Sequence, residues 1–396
     1  MTTVWQPLAL CVVGAAICAC GQGVPAATSA PTPPTLLTEE TMEVQLTPLA
    51  SIAVGAIRWD AWHSKLGEPG RAVERSLGPA YWHTRLPFFA EVVSETEVVI
   101  QGATQEVMDR EIGYASAAGL DYWAFVTYEP DSPMSLGLQH YLSSQYVSAI
   151  NFCMIVEGTR IGSGGLDGWN AKVERYLSYF REPTYQRVAG ERPLLYIFTP
   201  EHMVGEGAFA SWEEARTAFA ALRSASQEAG LGDPYIVMQH WVAGQARMTM
   251  QFLRGDAISA YASSGGALRA PYAALAAHTE QWWDEMRDTG APVIPLVSSG
   301  WDRRPRVENP VPWEGQRGSL DEYYERPTPE ELATHLAHGL DWVDAHPDAA
   351  EARAVLIYAW NENDEGGWIV PTLAEGTAHL DAISTVLKAR DGRDAQ

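Results

Sequence analysis

AVLIYAWNENDEGGW, residues Ala354 to Trp368, joins two kinds of information in one line. Its first part, AVLIYA from Ala354 to Ala359, is a short apolar run with β-branched and aromatic members, the pattern of a strand buried on both faces. Its second part places Asn361, Glu362, Asp364 and Glu365 just past the C-terminal end of that strand, closed by Gly366 and Gly367 and flanked by Trp360 and Trp368. A strand that feeds an acid-rich loop is the unit from which α/β barrels build their sites. The alternative is an acidic, solvated turn that merely ends a strand. The choice depends on whether the rest of the chain repeats the pattern.

From Ser51 onward it does. Apolar runs predict strands over Ile52–Ile57, Tyr122–Thr127, Ile150–Val156, Leu194–Phe198, Tyr235–Gln239, Ala257–Ala260, Val293–Val297 and Ala354–Tyr358. Between and after them, helical spacing predicts Thr104–Ala118, Pro133–Gln145, Trp169–Arg181, Ser211–Ala229, Ala243–Leu253, Pro271–Thr289, Pro327–Ala345 and Leu373–Lys388. Ser211 precedes Glu213 and Glu214, and Thr328 precedes Glu330 and Glu331, which puts acids in a first helical turn. Gly119 and Gly230 stand where helices end. Eight strands alternating with eight helices predict a (β/α)₈ TIM barrel over 49–390. A doubly wound open sheet is the alternative, but no phosphate-cradling glycine fingerprint follows the first strand. The Gly-rich run Gly162–Gly165 precedes no P-loop lysine and reads as a loop. Two long segments, 60–102 and 298–326, fall after the first and seventh strands, where barrel loops carry function.

Composition narrows the partners. The chain has 396 residues, 46% of them hydrophobic, enough for a large core. Its net charge of −23 argues against nucleic acid and anionic membrane surfaces, which need clustered Lys and Arg. The 15 Trp and 16 Tyr suit both a core and a cleft that stacks flat sugar faces. Three of the four cysteines, Cys11, Cys18 and Cys20, lie in the first twenty residues, so no disulfide framework is expected in the body. Cys153, inside an apolar run, is expected as a buried small hydrophobe. Residues Leu8–Ala19 are apolar but too short to span a bilayer. With Ile17-Cys18-Ala19-Cys20 they resemble a bacterial lipoprotein leader over 1–20, which implies a lipidated Cys20 in the cell envelope, although no Lys or Arg precedes Leu8. Plain secretion is the alternative. The Ala-, Thr- and Pro-rich stretch 21–48 then reads as a tether.

A barrel gathers its site from the C-terminal ends of its strands. That places Trp59, Asp60, Trp62 and His63 after the first strand, Tyr128 and Glu129 after the second, and Glu157 after the third. Glu201 and His202 follow the fourth, His240 and Trp241 the fifth, and Tyr261 the sixth. Trp301, Asp302, Arg303, Arg304 and Arg306 follow the seventh, and Asn361, Glu362, Glu365 and Trp368 the eighth. Each alone has a bland reading. Asp60 could cap a turn, Glu157 could be a solvated loop acid, and Arg304 and Arg306 could neutralise an acidic rim. Their convergence on one face is the argument. Paired carboxyls with aromatic faces are what glycosidic-bond chemistry needs: an acid for the leaving oxygen and a carboxylate to attack, activate or stabilise. The scattered histidines show no metal-ligand spacing, and no G-x-S-x-G elbow is present. No cofactor is expected.

Three segments carry a family resemblance. Trp360–Pro371, WNENDEGGWIVP, resembles the W-N-E-W-x-E-G signature of the WbsX-type glycan-processing family and its relative, glycoside hydrolase family 99. Gly300–Arg306 (GWDRRPR) resembles that group's G-W-D-N-x-P-R segment, and Gly119–Phe125 (GLDYWAF) its second strand. The resemblance implies a (β/α)₈ barrel and a retaining, endo-acting glycosidase. Glu362 would be the base acting through the sugar 2-hydroxyl, by way of an epoxide-like intermediate, and Glu365 the general acid and then base. Strand-end position under the barrel reading, not the resemblance, puts substrate contacts at Asp60, Trp62, Tyr128, Glu157, His240, Trp241, Tyr261, Trp301, Asp302, Arg306, Asn361 and Trp368. Residues three apart on a straight strand face opposite sides, so a turn within Asn361–Gly366 is needed to bring both glutamates into one cleft. Two positions depart from the group's pattern: Asn363 stands where an aromatic is usual, and Asp364 adds an acid. The group's mannan preference is therefore not carried over. The expected protein is a monomeric glycoside hydrolase acting on a glycan, held to a membrane only through its anchor. The rivals are a WbsX-type glycosyltransferase and a non-catalytic glycan-binding lipoprotein.

Overall fold

The structure, a computed structural model, describes residues 51–314 and 318–390. The expected leader over 1–20, the tether over 21–48 and the lipidated Cys20 lie outside the described residues. Eight parallel strands form the centre: β1 Ala53–Arg58, β2 Tyr122–Val126, β3 Asn151–Glu157, β4 Arg192–Phe198, β5 Tyr235–Gln239, β6 Ala257–Ser259, β7 Leu296–Ser298 and β8 Ala354–Tyr358. They pair in the order β7-β8-β1-β2-β3-β4-β5-β6. The ring closes just ahead of β7, where Ile258 bridges to Val293 in parallel. The Ile258 N–H donates to the Pro292 carbonyl at 2.8 Å and the Ile294 N–H to the Ile258 carbonyl at 3.1 Å. The chain is a (β/α)₈ barrel. The expected strand Val293–Val297 shortens to Leu296–Ser298 because Pro295 has no N–H for the ladder.

One barrel helix follows each strand: α1 Gln105–Ala118, α2 Leu136–Ser143, α3 Trp169–Phe180, α4 Trp212–Glu228, α5 Ala243–Leu253, α6 Tyr272–Asp288, α7 Pro329–Ala345 and α8 Ala378–Arg390. The caps explain where several begin. The Ser211 hydroxyl accepts from the Glu214 N–H at 3.2 Å, and Thr328 and Glu331 form a reciprocal capping box. α8 starts five residues later than expected, because Thr372 and Gly376 first close a turn on each other. Among the described residues no helix is long and apolar enough to cross a membrane.

The barrel interior is filled by side chains. Tyr122 reaches across it to the Tyr196 hydroxyl at 3.0 Å, and Gly55 leaves room for that ring. A Cβ at Gly55 would stand 2.2 Å from the ring of Tyr122. Cys153 is buried and free, as expected. The insertion after β1 holds a helix over Glu68–Leu77 and an antiparallel ribbon, Ala90–Val92 with Val98–Ile100. It is stitched to the loop after β8, with the Phe88 N–H on the Pro371 carbonyl and the Leu373 N–H on the Leu86 carbonyl. The insertion thereby brings Ser76, Trp82 and Arg85 to the end of the barrel where the acids stand.

Candidate active site

After β8 the chain makes a two-rung hairpin, β9 Asn361–Glu362 against β10 Gly367–Trp368. The required turn lies at 363–366: the Glu365 N–H donates to the Glu362 carbonyl at 3.0 Å. Gly366 has φ 91°, a left-handed conformation, and a Cβ there would lie 2.3 Å from the Asp302 nitrogen. Gly300 likewise has no space, since its Cβ would lie 2.2 Å from the Gly366 carbonyl oxygen. These glycines let the loop after β7 meet the hairpin backbone to backbone, with the Asp302 N–H on the Glu365 carbonyl at 2.7 Å. That contact delivers Arg303 and Arg306 onto the acids.

Glu362 and Glu365 are both buried and each takes a tyrosine hydroxyl. Tyr261 donates to Glu362 Oε1 and Tyr358 to Glu365 Oε2, each at 2.6 Å. The Arg306 guanidinium joins the acids. Its Nη1 donates to Glu365, while Nη2 stands 3.6 Å from Glu362. The same guanidinium holds Asp364 at 2.7 and 3.1 Å and Glu314 at 2.6 Å. Arg303 adds a second cation, its Nε 3.4 Å from Glu365 and its Nη2 on Glu314.

The two glutamates differ in charge for this reason. Burial, then the neighbouring Glu365 charge, pushes the Glu362 carboxyl up to about 8, because its nearest cation stands off. Burial acts on Glu365 as well, but Arg306 and Arg303 outweigh it and hold that carboxyl below its ordinary value. The two shifts run in opposite directions, so in the resting site Glu362 is the better proton holder and Glu365 the better anion. This resting state is opposite to the protonation expected from the implied roles, in which Glu365 is the acid. The cause is tertiary: the arginines sit closer to Glu365. Burial raises the pKa of both tyrosine hydroxyls well above the ordinary value, so they stay donors.

Aromatic rings surround the pair. Tyr261 packs on Phe198 at 4.4 Å and on Tyr358 at 5.8 Å between ring centroids. Trp301 lies 5.8 Å from Tyr358 and 6.5 Å from Trp241, which is 44% exposed and offers a free face. On the other flank, the Trp59 indole donates to the Tyr128 hydroxyl at 2.7 Å and lies beneath Arg306. Arg160 covers the Tyr128 ring and stands 3.4 Å from Glu157. His240 accepts from the Val242 N–H on Nδ1 at 3.0 Å and turns Nε2 toward Glu201 at 3.4 Å.

Several expected contact residues are committed to the protein itself. Trp62 is buried and lines a small pocket with Arg58, Asp60, Phe89 and Glu111. Trp368 is buried with Arg326 over its ring at 3.7 Å. Neither indole has a free face, which corrects the expectation that they stack on a sugar. Asp302 is closed by Arg85 and Arg304, which hold its carboxylate below its ordinary value against the opposing effect of burial. Asn361 accepts the Trp59 N–H at 2.8 Å and leans its amide on Asp60, which is paired with Arg58 at 2.9 Å. These three position the hairpin rather than face the cleft. The departing residues are buried too: Asn363 donates to the Arg85 carbonyl at 2.7 Å, and Asp364 receives Arg306.

Sequence reasoning missed Tyr358, Glu314 and the anchoring Arg85, and assigned no role to Arg303. Tyr358 ends β8 and could have been found as the polar member of an otherwise apolar strand. Glu314, in a loop with no periodic pattern, gives no such signal. Among the described residues, no group of three or more His, Cys, Asp or Glu could hold a metal ion.

No curated protein matches this chain. Among solved structures, it is similar to a family 99 endo-alpha-mannosidase from Bacteroides thetaiotaomicron in complex with bis-tris-propane. Identity there is 15% over 87% of this chain and 98% of that one, with a TM-score of 0.52. A second structure of the family 99 endo-alpha-mannosidase from the same organism matches at 13% identity over 86% and 98%, again with a TM-score of 0.52. Likeness at this level establishes a shared fold. The family model described as "Glycosyltransferase WbsX" matches residues 164–383, more than half of the chain, so the protein belongs to the WbsX family.

Proposed function

We propose that the chain is a glycoside hydrolase, retaining and endo-acting, that cleaves glycosidic bonds in a glycan with Glu362 and Glu365. The observation that carries this reading is the pair itself: two buried carboxyls on one hairpin, bridged by one guanidinium that stands closer to Glu365 than to Glu362. A carboxylic acid beside a carboxylate is the equipment of glycosidic-bond cleavage. In the resting enzyme Glu362 is the proton donor and Glu365 the ionised partner, while Tyr261 and Tyr358 orient them. The Trp241–Trp301 corner, next to His240 in the chain, supplies a stacking face for the sugar, and Tyr128 and Glu157 stand on the other flank of the pair.

The transferase reading is favoured by the family's description alone. A nucleotide-sugar donor needs a cradle for two phosphates. Arg303 and Arg306 are instead engaged by carboxylates, and the sequence has no glycine-rich phosphate loop. We also propose that the enzyme works as a monomer, held at the cell envelope by a lipid on Cys20.

The test pairs Glu362→Gln and Glu365→Gln on a cleaved glycan and on a glycoside with an activated aryl leaving group. Each change should lower the rate on the glycan by roughly 10²–10⁴-fold. An activated leaving group needs no proton, so it should restore Glu362→Gln in part and leave Glu365→Gln slow. Rescue of Glu365→Gln instead would show that bound substrate moves the proton to Glu365. Near wild-type turnover in both would end the hydrolase reading.

A further inference from the structure

We propose that Arg303 and Arg306 form a carboxylate-binding subsite, filled here by the chain's own Glu314, and that the glycan taken at this site presents a uronic acid to it. This rests on the reading of the site as glycan-active and adds the class of sugar.

Three observations lead there. The first is geometry. The two Glu314 oxygens are divided between two guanidiniums, Oε1 on Arg306 Nη1 at 2.6 Å and Oε2 on Arg303 Nη2. A planar two-oxygen anion bridging two forked cations is carboxylate recognition, with directional charge-assisted bonds. The second is the contrast among the carboxylates around Arg306. Asp364 and Glu365 belong to the buried hairpin and cannot leave it. Glu314 comes from the loop after β7, and its side chain is 19% exposed. Its backbone N–H bonds only within its own turn, to the Val311 carbonyl at 3.3 Å, and its neighbour Trp313 is 43% exposed against Trp59. Glu314 is thus the one anion of the cluster that incoming ligand can displace. The third is placement. Arg303 lies over the Trp301 ring at 5.6 Å, and Trp301 adjoins the exposed Trp241. A pyranose stacked on that corner would hold a ring carboxylate toward Arg303.

Charge decides between acidic and neutral sugars. With Glu362 protonated, Asp364, Glu365 and Glu314 face two arginines. A neutral sugar that displaced Glu314 would leave Arg303, partly buried at 22% exposure, with Glu365 at 3.4 Å as its nearest anion. A uronic acid replaces the lost carboxylate like for like.

The experiment titrates the full chain by ligand-observed NMR. The probes are the methyl glycosides of glucuronic, galacturonic and mannuronic acid, their neutral counterparts, and glucose 6-sulfate. At least one uronide should bind about tenfold tighter than its neutral partner. Glu314→Gln, in an exposed loop, should tighten that uronide by about five- to tenfold and leave the neutral glycoside unchanged, because the internal competitor has lost its charge. Arg303→Met should erase the preference, with far-UV circular dichroism showing that the variant is folded. Equal binding of uronides and neutral glycosides in both wild type and Glu314→Gln would overturn the proposal. So would binding of the sulfate ester without any uronide. Binding is read without turnover, so absence of hydrolysis alone would count against the catalytic reading and not this one. Cleavage of neutral glycans that Glu314→Gln leaves unchanged would do the reverse.

Discussion

Replacing Arg306 by methionine removes a charge that three carboxylates use and a fourth stands near. Asp364 suffers most. It is fully buried, loses bonds of 2.7 and 3.1 Å, and among the described residues keeps one hydrogen bond, from the Ser76 hydroxyl at 3.4 Å. Glu365 loses its closest cation but keeps the Tyr358 hydroxyl and Arg303. Breaking a buried ion pair from one side costs about 3–5 kcal/mol, because the surviving charge is stranded. Methionine nearly fills the volume, so a cavity adds little. The cost depends on pH with a definite sign. Stranded carboxylates have raised pKa values in the folded variant, so they disfavour the fold when ionised and cease to do so once protonated. The deficit relative to wild type should therefore be full at pH 7.5 and smaller at pH 5. Urea denaturation followed by tryptophan fluorescence at both pH values measures it. A deficit under about 1 kcal/mol, equal at both pH values, is the range of an exposed surface pair. It would mean that Arg306 is a rim charge over a solvated turn and that the reasoning about the paired acids is wrong.

Three further outcomes follow from the same geometry. The pH profile of kcat/KM should fall on the alkaline side near pH 8, where Glu362 loses its proton, and on the acid side only below the ordinary glutamate range, where Glu365 gains one. The same raised Glu362 carboxyl contributes stability that is full below its unfolded value of about 4.5 and lost as pH rises through about 8, and a profile flat beyond pH 10 would remove Glu362 as the proton holder. Gly366→Ala should cost about 1–3 kcal/mol from the left-handed backbone alone, with more from the contact on Asp302, and should abolish turnover by parting the β7 loop from the hairpin; an active variant of wild-type stability would refute that contact. Mass spectrometry of protein taken from membranes should find a lipidated Cys20 and no peptide ahead of it, whereas an unmodified soluble form beginning further on would rule out the anchor.

The eight-fold alternation was legible in the chain, element by element, because it is written in local terms. Apolar runs such as AVLIYA, helix starts such as Ser211 and Thr328, and the left-handed Gly119 each act within a few residues of themselves. The two glutamates and the turn between them were legible for the same reason, since Asn361–Gly366 is one contiguous stretch. Spacing could not say which strand-end residues face the cleft. Trp368 stands beside the acids in sequence and Trp62 just past β1, yet both are buried, Trp62 against the insertion and Trp368 under Arg326. Nor could it assign the proton. That depends on Arg303 and Arg306 meeting Glu365 more closely than Glu362, across some sixty residues of chain, through backbone contacts that Gly300 and Gly366 allow. Backbone conformation is set largely by near neighbours, whereas the energy of a buried charge depends on which distant groups fold against it. The sequence alone therefore determined the barrel and its acidic hairpin, and only the tertiary structure decided the charge each acid carries.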